Sequence, residues 1–370
     1  MTEVLGDSDS FGSSTASIGD LDGDGIVDIA VGSSGDDDGG SNRGAVYVLF
    51  LNADGTVKAE QKISSTTGGL TGPLDNIDAF GFSVAGVGDI DGDGIVDIAV
   101  GAEYDDDGGN NRGAVYVLFL NTDGTVKAEQ KISSTTGGLT GPLDDSDYFG
   151  MSVAGIGDLD GDGKLDIAVG AADASLSGAV YVLLLNADGT VKAEQKISST
   201  TGGLIGPIGL GVFGRSVAGV GDLDGDGIVD VAVGEYRDNG NQGAVHVLFL
   251  NADGTVKAEQ KISSTTGGLT GPLGSADRFG TSVAGVGDLD GDGIIDIAVG
   301  ALYDDGGGSD RGAAYVLFLN ADGTVKAEQK ISSVTGGLTG PLDNGDNFGV
   351  SVAGIGDLDG DGTVGLILGA

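Results

Sequence analysis

Short apolar segments alternate with Gly- and Asp-rich segments along the whole chain, and residues 80–148 show the pattern clearly. Ser83–Gly88 predicts a short strand of small residues that runs into an acidic loop. Residues 97–101 leave that loop as a continuous apolar run, which is typical of a strand buried on both faces. Residues 113–120 are rich in β-branched and aromatic side chains and predict a third strand.

A fourth strand is predicted at residues 125–132, after the turn signal Asn-Thr-Asp-Gly. Val126, Ala128 and Ile132 alternate there with lysine and glutamate, which predicts one buried and one solvent-exposed face. Charges on the exposed face suit an outermost strand, because they discourage pairing with other chains. No segment sustains the period of a helix, so the sequence predicts an all-β fold.

This block of four strands is repeated along the chain. In each block a Phe-Gly pair lies nine residues before the string Asp-x-Asp-Gly-Asp-Gly-x-x-Asp. The intact strings start at Asp20, Asp89, Asp158, Asp222 and Asp288, and an altered sixth starts at Asp357. The Phe-Gly pairs bound five full units and a partial one, residues 11–79, 80–148, 149–212, 213–278, 279–347 and 348–370. Four antiparallel strands per repeat describe one blade of a β-propeller.

The number of blades follows from the repeat count. A string of β-sandwich domains is the alternative, but a 69-residue repeat is short for a sandwich of about 100 residues. We expect residues 1–370 to form a single β-propeller domain with six blades, the sixth reduced, because residues 348–370 supply only two inner strands. A chain cut from a longer one would give the same pattern, and a five-bladed ring is less favoured.

Each intact acidic string crowds four carboxylates at its positions one, three, five and nine. Like charges a few ångströms apart repel, so the crowding is costly without a counter-charge. Oxygen ligands at alternate positions of a Gly-containing turn suit Ca²⁺, which takes about six to eight oxygens. The residue at position seven, which varies between copies, would offer its backbone carbonyl. The predicted ligands are Asp20, Asp22, Asp24, Ile26 and Asp28; Asp89, Asp91, Asp93, Ile95 and Asp97; Asp158, Asp160, Asp162, Lys164 and Asp166; Asp222, Asp224, Asp226, Ile228 and Asp230; Asp288, Asp290, Asp292, Ile294 and Asp296; and Asp357, Asp359, Asp361 and Thr363.

Other interpretations of the acidic strings fit less well. An EF-hand needs a Glu at position twelve between two helices, but position twelve of the first string is Val31, in a predicted strand. Solvated acidic hairpins without metal are disfavoured by the repetition of the same four carboxylates. Mg²⁺ prefers to keep several waters, and Zn²⁺ prefers His or Cys. The sixth string has Gly365 where the others have Asp, so we expect five strong Ca²⁺ sites and one weaker site.

Composition excludes several classes of protein. With 57 Asp and Glu against 17 Lys and Arg, the net charge of −40 argues against a nucleic-acid partner, which needs clustered basic residues. The chain has no Cys, so disulfides and thiolate sites are excluded. The longest clean apolar run, Ala45–Leu51, is far shorter than the roughly 20 residues of a transmembrane helix, and no signal peptide is visible.

The Phe-Gly pair, the acidic loop and the sequence Asp-Ile-Ala-Val-Gly-Ala (Asp97–Ala102) resemble the FG-GAP repeat of integrin α-chain propellers and their bacterial relatives. The resemblance covers residues 11–370. It implies a Ca²⁺ loop between the first and second strands of each blade, on the lower face, with ligation by side chains one, three, five and nine and by carbonyl seven. The chain departs from the family in lacking the Pro of Gly-Ala-Pro and in its number of repeats.

Candidates for catalysis are few. His246 lies where other copies have Tyr, so a strand substitution explains it better than a catalytic base. The triplets Asp36–Asp38 and Asp105–Asp107 offer further cation sites, but solvated loops with Arg43 or Arg112 as local partners are favoured. No Ser-His-Asp set, phosphate loop or isolated carboxylate pair is evident, so we predict that the protein is not an enzyme.

The preferred hypothesis is a Ca²⁺-stabilised binding or adhesion module, which the resemblance places outside the cell or on its surface. By family geometry, a protein or glycan ligand would bind the face opposite the Ca²⁺ loops, formed by Ser33–Arg43, Ser64–Asp78 and their copies, where the repeats vary most. Two alternatives are a structural subunit that self-assembles into a filament or surface layer, and a non-catalytic part of a polysaccharide-active enzyme.

Overall fold

The computed structural model describes residues 5–6, 8–172, 177–206, 208–209, 212–357 and 364–370. Within them, each full repeat forms one antiparallel sheet of four strands in chain order, and two further strands pair near the C-terminus. The strands are β1 (Phe11–Gly19), β2 (Asp28–Ser33), β3 (Ala45–Leu51) and β4 (Val57–Ser64); β5 (Ser83–Gly88), β6 (Asp97–Ala102), β7 (Ala114–Leu120) and β8 (Val126–Ile132); β9 (Phe149–Gly157), β10 (Asp166–Ala171), β11 (Ala179–Leu185) and β12 (Val191–Ile197); β13 (Val217–Gly219), β14 (Val231–Glu235), β15 (Ala244–Leu250) and β16 (Val256–Ser263); β17 (Phe279–Gly287), β18 (Asp296–Ala301), β19 (Ala313–Leu319) and β20 (Val325–Ser332); and β21 (Val352–Gly354) and β22 (Leu366–Leu368). One helical turn, α1 (Asp238–Asn241), lies between β14 and β15.

The predicted all-β propeller of four-stranded antiparallel blades is confirmed. In the second repeat, the predicted strands agree with β5–β8 to within one residue at each end. Five blades are complete, and the two-stranded sheet of β21 and β22 lies where a reduced sixth blade is predicted. That residues 1–370 form one domain stays a prediction.

The chain divides into two compact units. One comprises Met1–Ala171, Val182–Glu194 and Ile355–Gly365, and the other comprises Ala172–Tyr181, Gln195–Gly354 and Leu366–Ala370. In each unit a hydrophobic core lies between consecutive sheets, which present their apolar side chains to one another. Among the described residues, no helix has the length and apolar character needed to cross a membrane.

The second and third strands of each blade form the centre of its sheet. All six residues of β6 are buried, as its continuous apolar run predicts. All seven residues are buried in β7, and the same is true of its equivalents β3, β11 and β15. Burial on both faces explains why these segments are apolar at every position rather than alternating.

From the second repeat onward, the Phe-Gly pair joins each repeat to the preceding one. The ring of Phe80 packs edge-on against Tyr116 of its own blade, with 5.4 Å between ring centroids. Its backbone N–H donates to the carbonyl oxygen of Arg43 in the preceding repeat, at 2.9 Å. Gly81 has a φ of +88°, and a Cβ there would lie 2.3 Å from the carbonyl oxygen of Ala45. Only glycine allows the two repeats to approach this closely.

The fourth strand differs from its predicted alternation. Val126 and Ile132, at the ends of β8, are buried as expected, but Ala128 between them is exposed. Lys131, predicted to face solvent, is half-buried. The reason is that adjoining loops cover parts of the outer strand; for example, the N–H of Val126 donates to the carbonyl oxygen of Gly68 in the preceding repeat. Burial in β8 therefore follows these neighbours rather than the two-residue period.

Candidate metal centres

The five intact acidic strings form the loops between the first and second strands of the five complete blades. Because neighbouring strands are antiparallel, the turn between the third and fourth strands lies at the same end of the sheet as the acidic loop. The loop between the second and third strands lies at the opposite end. In the altered sixth string, Asp359, Asp361 and Thr363 lie outside the described residues, so a weaker site there stays a prediction.

The aspartate at position one organises each loop by collecting backbone N–H groups. Oδ1 of Asp89 accepts hydrogen bonds from the N–H groups of Gly92 (2.7 Å) and Asp93 (3.0 Å). Its Oδ2 accepts one from the N–H of Gly94 at 2.8 Å. Gly92 and Gly94 both have positive φ, which lets the backbone curl around the carboxylate. Equivalent bonds are made by Asp20, Asp158, Asp222 and Asp288.

The aspartate at position nine is buried and connects the loop to the third strand. Oδ2 of Asp97 accepts the N–H of Ile90 at 3.0 Å, and its Oδ1 accepts the N–H of Leu120 at 3.1 Å. Burial raises the pKa of Asp97 to about 6, although these hydrogen bonds oppose the shift. The same pair of bonds recurs at Asp28, Asp166, Asp230 and Asp296. Sequence reasoning missed the bond to the third strand, because it joins residues 23 apart.

Three carboxylates come together in every one of these five loops. One oxygen from each lies within 4.8 Å of the others. The clusters are Asp20, Asp22 and Asp28; Asp89, Asp91 and Asp97; Asp158, Asp160 and Asp166; Asp222, Asp224 and Asp226; and Asp288, Asp290 and Asp296. Converging carboxylate oxygens fit a hard divalent cation such as Ca²⁺, which prefers oxygen donors. The structure thus brings together three of the four predicted carboxylates in each loop.

The aspartate at position five is turned toward other partners in most loops. Oδ1 of Asp93 accepts the N–H of Ile95, the position-seven residue, at 2.8 Å. The same bond is made by the position-seven residues Ile26, Lys164, Ile228 and Ile294. Among the five described loops, the position-five residue belongs to the cluster only in the fourth, where Asp226 takes the place of the position-nine aspartate. Ligation by the position-seven carbonyls stays a prediction.

A lysine from the fourth strand reaches each acidic loop. Nζ of Lys127 lies 2.9 Å from Oδ2 of Asp91 and also donates a hydrogen bond to Asp93. That hydrogen bond, together with the one from the N–H of Ile95, holds the pKa of Asp93 below its ordinary value. The equivalent lysines in the other repeats are Lys58, Lys192, Lys257 and Lys326. The sequence carries a signal for these contacts, since every fourth strand has Lys at its second position.

The acidic triplets at the opposite end of the blades have different partners from those predicted. Nζ of Lys62 lies 2.9 Å from Asp36 and 2.8 Å from Asp38. In the second repeat, Lys131 is placed in the same way between Asp105 and Asp107. Arg43 instead donates to Asn76, and Arg112 pairs with Asp145. Those predicted arginine partners are wrong, because the fourth strand carries a lysine closer to the triplets.

His246 is a strand residue, as predicted, but its surroundings set it apart from the tyrosines that it replaces. It is fully buried in β15, with Nε2 2.9 Å from Oε2 of Glu235 and Nδ1 3.5 Å from Oε1 of Glu259. The ring of Phe213 packs edge-on against it, as Phe80 does against Tyr116.

The charges around His246 set its protonation. Burial alone would lower the pKa of His246, but the hydrogen bond to Glu235 and the nearby Glu259 outweigh it and raise the pKa. Burial opposes ionisation of Glu259, yet the hydrogen bonds that it accepts and the charge of His246 lower its pKa to about 2. Lys261, which pairs with Glu235 and Asp238, also faces this group. Below its raised pKa, His246 is a protonated imidazole between two carboxylates.

A pH-dependent contribution to stability follows. Since the folded pKa of His246 lies above its unfolded value of about 6.5, its contribution is full below that pH and is lost as the pH rises through the folded pKa. We expect the melting temperature of the His246→Tyr variant to fall less steeply than that of the wild type above pH 6.5. Thermal melts of both proteins from pH 5 to pH 9 give their melting temperatures. Subtracting one curve from the other removes the contribution of the titratable groups that both proteins share. Parallel curves would contradict the expectation.

The end of the blades opposite the acidic loops carries a group of aromatic and basic side chains. Arg278 stacks over the rings of Tyr236 (5.2 Å to the centroid) and Tyr303 (4.4 Å), and Arg237 also lies over Tyr236. Not every variable loop residue is available to a partner, however, since Glu235 is fully buried.

Comparison with known proteins places the chain in a family. The FG-GAP-like repeat matches residues 89–169, 158–233 and 222–299, and the FG-GAP repeat matches residues 11–49. These matches cover more than half of the chain, which therefore belongs to the FG-GAP repeat family. Its fold is an integrin-like β-propeller.

Among curated proteins the chain is similar to integrin α chains. It is 32% identical over 220 residues to integrin alpha-3 of Cricetulus griseus, covering 60% of this chain and 19% of the relative. It is 35% identical over 243 residues to integrin alpha pat-2 of Caenorhabditis briggsae, covering 60% and 18%. The chain thus spans about a fifth of the length of these relatives. Among solved structures, the Dos1 propeller is 16% identical, with a TM-score of 0.40, over 83% of this chain and 59% of that one.

Proposed function

We propose that this protein is a Ca²⁺-stabilised binding or adhesion module that acts outside the cell or on its surface. The observation that carries the proposal is the recurrence of a three-carboxylate cluster in the same loop of five successive blades. A single acidic hairpin needs no metal to explain it. In each of the five clusters, backbone N–H groups surround the position-one carboxylate and the position-nine aspartate bonds to the third strand. Holding these carboxylates close together costs free energy through charge repulsion, and a bound divalent ion would offset that cost.

The proposed role of Ca²⁺ is structural. In the second blade, Asp89 shapes the loop, Asp91 adds a surface carboxylate, and Asp97 connects the loop to the third strand. An ion held by these three side chains would tie the first, second and third strands together at one end of the sheet. Because such an ion binds the folded loop and not the unfolded chain, it would stabilise the fold by mass action.

The proposed partner-binding surface lies at the other end of the blades, where the repeats differ in sequence. In one compact unit, Tyr104 at 37% exposure provides an aromatic side chain at that end of its blade. In the other unit, Tyr236, Arg237, Tyr303 and Arg278 provide aromatic and basic side chains at the same end of their blades. Aromatic and arginine side chains are common in protein-binding surfaces, which favours a protein ligand. Similarity to integrin α chains supports a binding role rather than catalysis and supports the extracellular location.

Calorimetric titration tests the metal proposal directly. Protein treated with a chelator and then freed of it is expected to bind about five Ca²⁺, with weaker binding of Mg²⁺. The Asp91→Ala variant should lose one equivalent. Asp123→Ala is the matched control, since Asp123 lies in the β7–β8 turn, bonds to Thr125 and belongs to none of the five clusters found among the described residues. If the wild type shows no saturable binding at millimolar Ca²⁺, the proposed function is wrong.

A further inference from the structure

Each fourth strand carries two lysines four residues apart. In the second blade, these two lysines contact acidic residues at opposite ends of the sheet. In β8, Lys127 contacts Asp91 and Asp93 of the acidic loop. Lys131 contacts the triplet Asp105–Asp107 and lies over the ring of Tyr116, with Nζ 5.4 Å from its centroid. The first lysines are Lys58, Lys127, Lys192, Lys257 and Lys326, and the second lysines are Lys62, Lys131, Lys196, Lys261 and Lys330.

The first lysine shares a ligand with the candidate metal centre. Asp91 contributes an oxygen to the three-carboxylate cluster, and its Oδ2 is 2.9 Å from Nζ of Lys127. The same ammonium also donates a hydrogen bond to Asp93, which is the predicted fourth carboxylate ligand and lies outside the cluster. An ammonium and a divalent ion a few ångströms apart repel each other. An ammonium and a divalent ion at this loop would therefore compete for the same two side chains.

The arrangement recurs wherever an acidic loop is intact. Nζ of the first lysine lies 2.9 Å from Asp22 in the first repeat, 2.9 Å from Asp224 in the fourth and 2.8 Å from Asp290 in the fifth. In the third repeat, which is shorter than the second, Lys192 still contacts both Asp160 and Asp162. Each lysine comes from the fourth strand, on the far side of the sheet from the first strand. The position of the lysine is therefore set by the pairing of the strands and not by the acidic loop itself.

We propose that the first lysine of each fourth strand is a built-in counter-cation that a divalent ion must displace. It neutralises part of the loop when no metal is bound, and it lowers the affinity of the loop for metal. The inference rests on the proposed Ca²⁺ binding and adds a residue that determines its strength. Two consequences follow: metal binding releases the first lysine to solvent, and removal of its charge strengthens metal binding.

Lysine acetylation of the wild-type protein tests the release. The protein is treated briefly with an acetylating reagent in chelator, in Ca²⁺ and in Mg²⁺, and is then cleaved after Glu. Because each pair lies in the segment Lys-Ala-Glu-Gln-Lys, cleavage after Glu separates the first lysines from the second ones for mass spectrometry. We expect Ca²⁺ to raise the acetylation rate of the first lysines by about threefold or more. The second lysines should not change and are the internal control.

Substitution tests the effect on affinity. In one variant, Lys58, Lys127, Lys192, Lys257 and Lys326 are all replaced by Met, which keeps most of the apolar part of the side chain, removes the charge and adds no oxygen ligand. Its Ca²⁺ affinity per site should rise about fivefold, the upper end of what an exposed ion pair contributes. Its melting temperature in chelator should fall, because the loops lose their counter-charge. The matched control replaces the same residues by Arg, which keeps the charge and should keep the affinity near that of the wild type.

The outcomes separate this inference from the proposed function. If the wild type binds no Ca²⁺ in calorimetry, the proposed function fails. If it binds Ca²⁺ while acetylation of the first lysines is unchanged and the Met variant has wild-type affinity, only the counter-cation inference fails. Should the Met variant not fold, the acetylation of the wild type decides alone, and an unchanged rate in Ca²⁺ overturns the inference.

Discussion

Removal of divalent cations is expected to lower the melting temperature of this protein by about 10 °C or more. A site at a free Ca²⁺ concentration of 100 times its Kd adds about 2.7 kcal/mol to the free energy of unfolding. Five such sites act on the same chain, so even partial coupling between blades gives a shift of this size.

Scanning calorimetry in excess Ca²⁺ and in chelator measures this shift. Ca²⁺ added back to the chelated protein should restore the upper melting temperature, which excludes irreversible damage as the cause. Mg²⁺ at the same concentration should restore it only in part, since Mg²⁺ enters an all-protein oxygen site reluctantly. Identical melting temperatures with and without chelator would remove the basis for a structural role of metal.

Replacement of one buried aspartate is expected to cost more than loss of one metal site. In Ca²⁺, Asp97→Ala should reduce the free energy of unfolding by about 4–6 kcal/mol. It removes a ligand, and it also leaves the N–H groups of Ile90 and Leu120 without their acceptor. Asp91→Ala is the matched variant: it removes a ligand of the same cluster from the loop surface and should cost only the metal term, about 2.7 kcal/mol.

The comparison in chelator sharpens the test. Without metal, Asp91→Ala should be neutral or slightly stabilising, because it relieves repulsion within the loop. Asp97→Ala should still destabilise, although by less than in Ca²⁺. The loss of stability is smaller in chelator because the substitution also removes the free-energy cost of burying the charged carboxylate. That cost is what raises the pKa of Asp97 to about 6. Equal losses for the two variants in Ca²⁺ would mean that the bonds of Asp97 to Ile90 and Leu120 carry no net stability.

Local pattern predicted the elements well where burial is uniform. The strands β6 and β7 are apolar at nearly every position, and they lie at the centre of their sheet with every residue buried. The acidic loops were placed correctly because both flanking strands and the loop glycines are encoded within about 20 residues. The pattern failed at β8, where Ala128 is exposed and Lys131 half-buried, since burial there depends on loops from elsewhere in the chain.

The contacts of the candidate metal centres were likewise predicted in part from the sequence. The spacing of the aspartates predicted that Asp89, Asp91 and Asp97 would meet, and they do. The spacing could not reveal that Asp97 bonds to Leu120, or that Lys127 reaches Asp91 across the sheet. The bond to Leu120 forms only when the third strand has paired, and the contact of Lys127 forms only when the fourth strand has paired. The pairing of Lys131 with the Asp105–Asp107 triplet has the same origin.

By itself, the sequence determined the repeat, the β character of the chain, the order of strands within a blade and the position of the acidic loops. These features depend on short-range periodicity and on glycine turns, which neighbouring residues specify. Only the tertiary structure decided which carboxylates converge, which lysines neutralise them and which side chains of the outer strand are buried. Those outcomes depend on distances across strands and between repeats, and charge interactions and burial act over such distances whatever the separation along the chain.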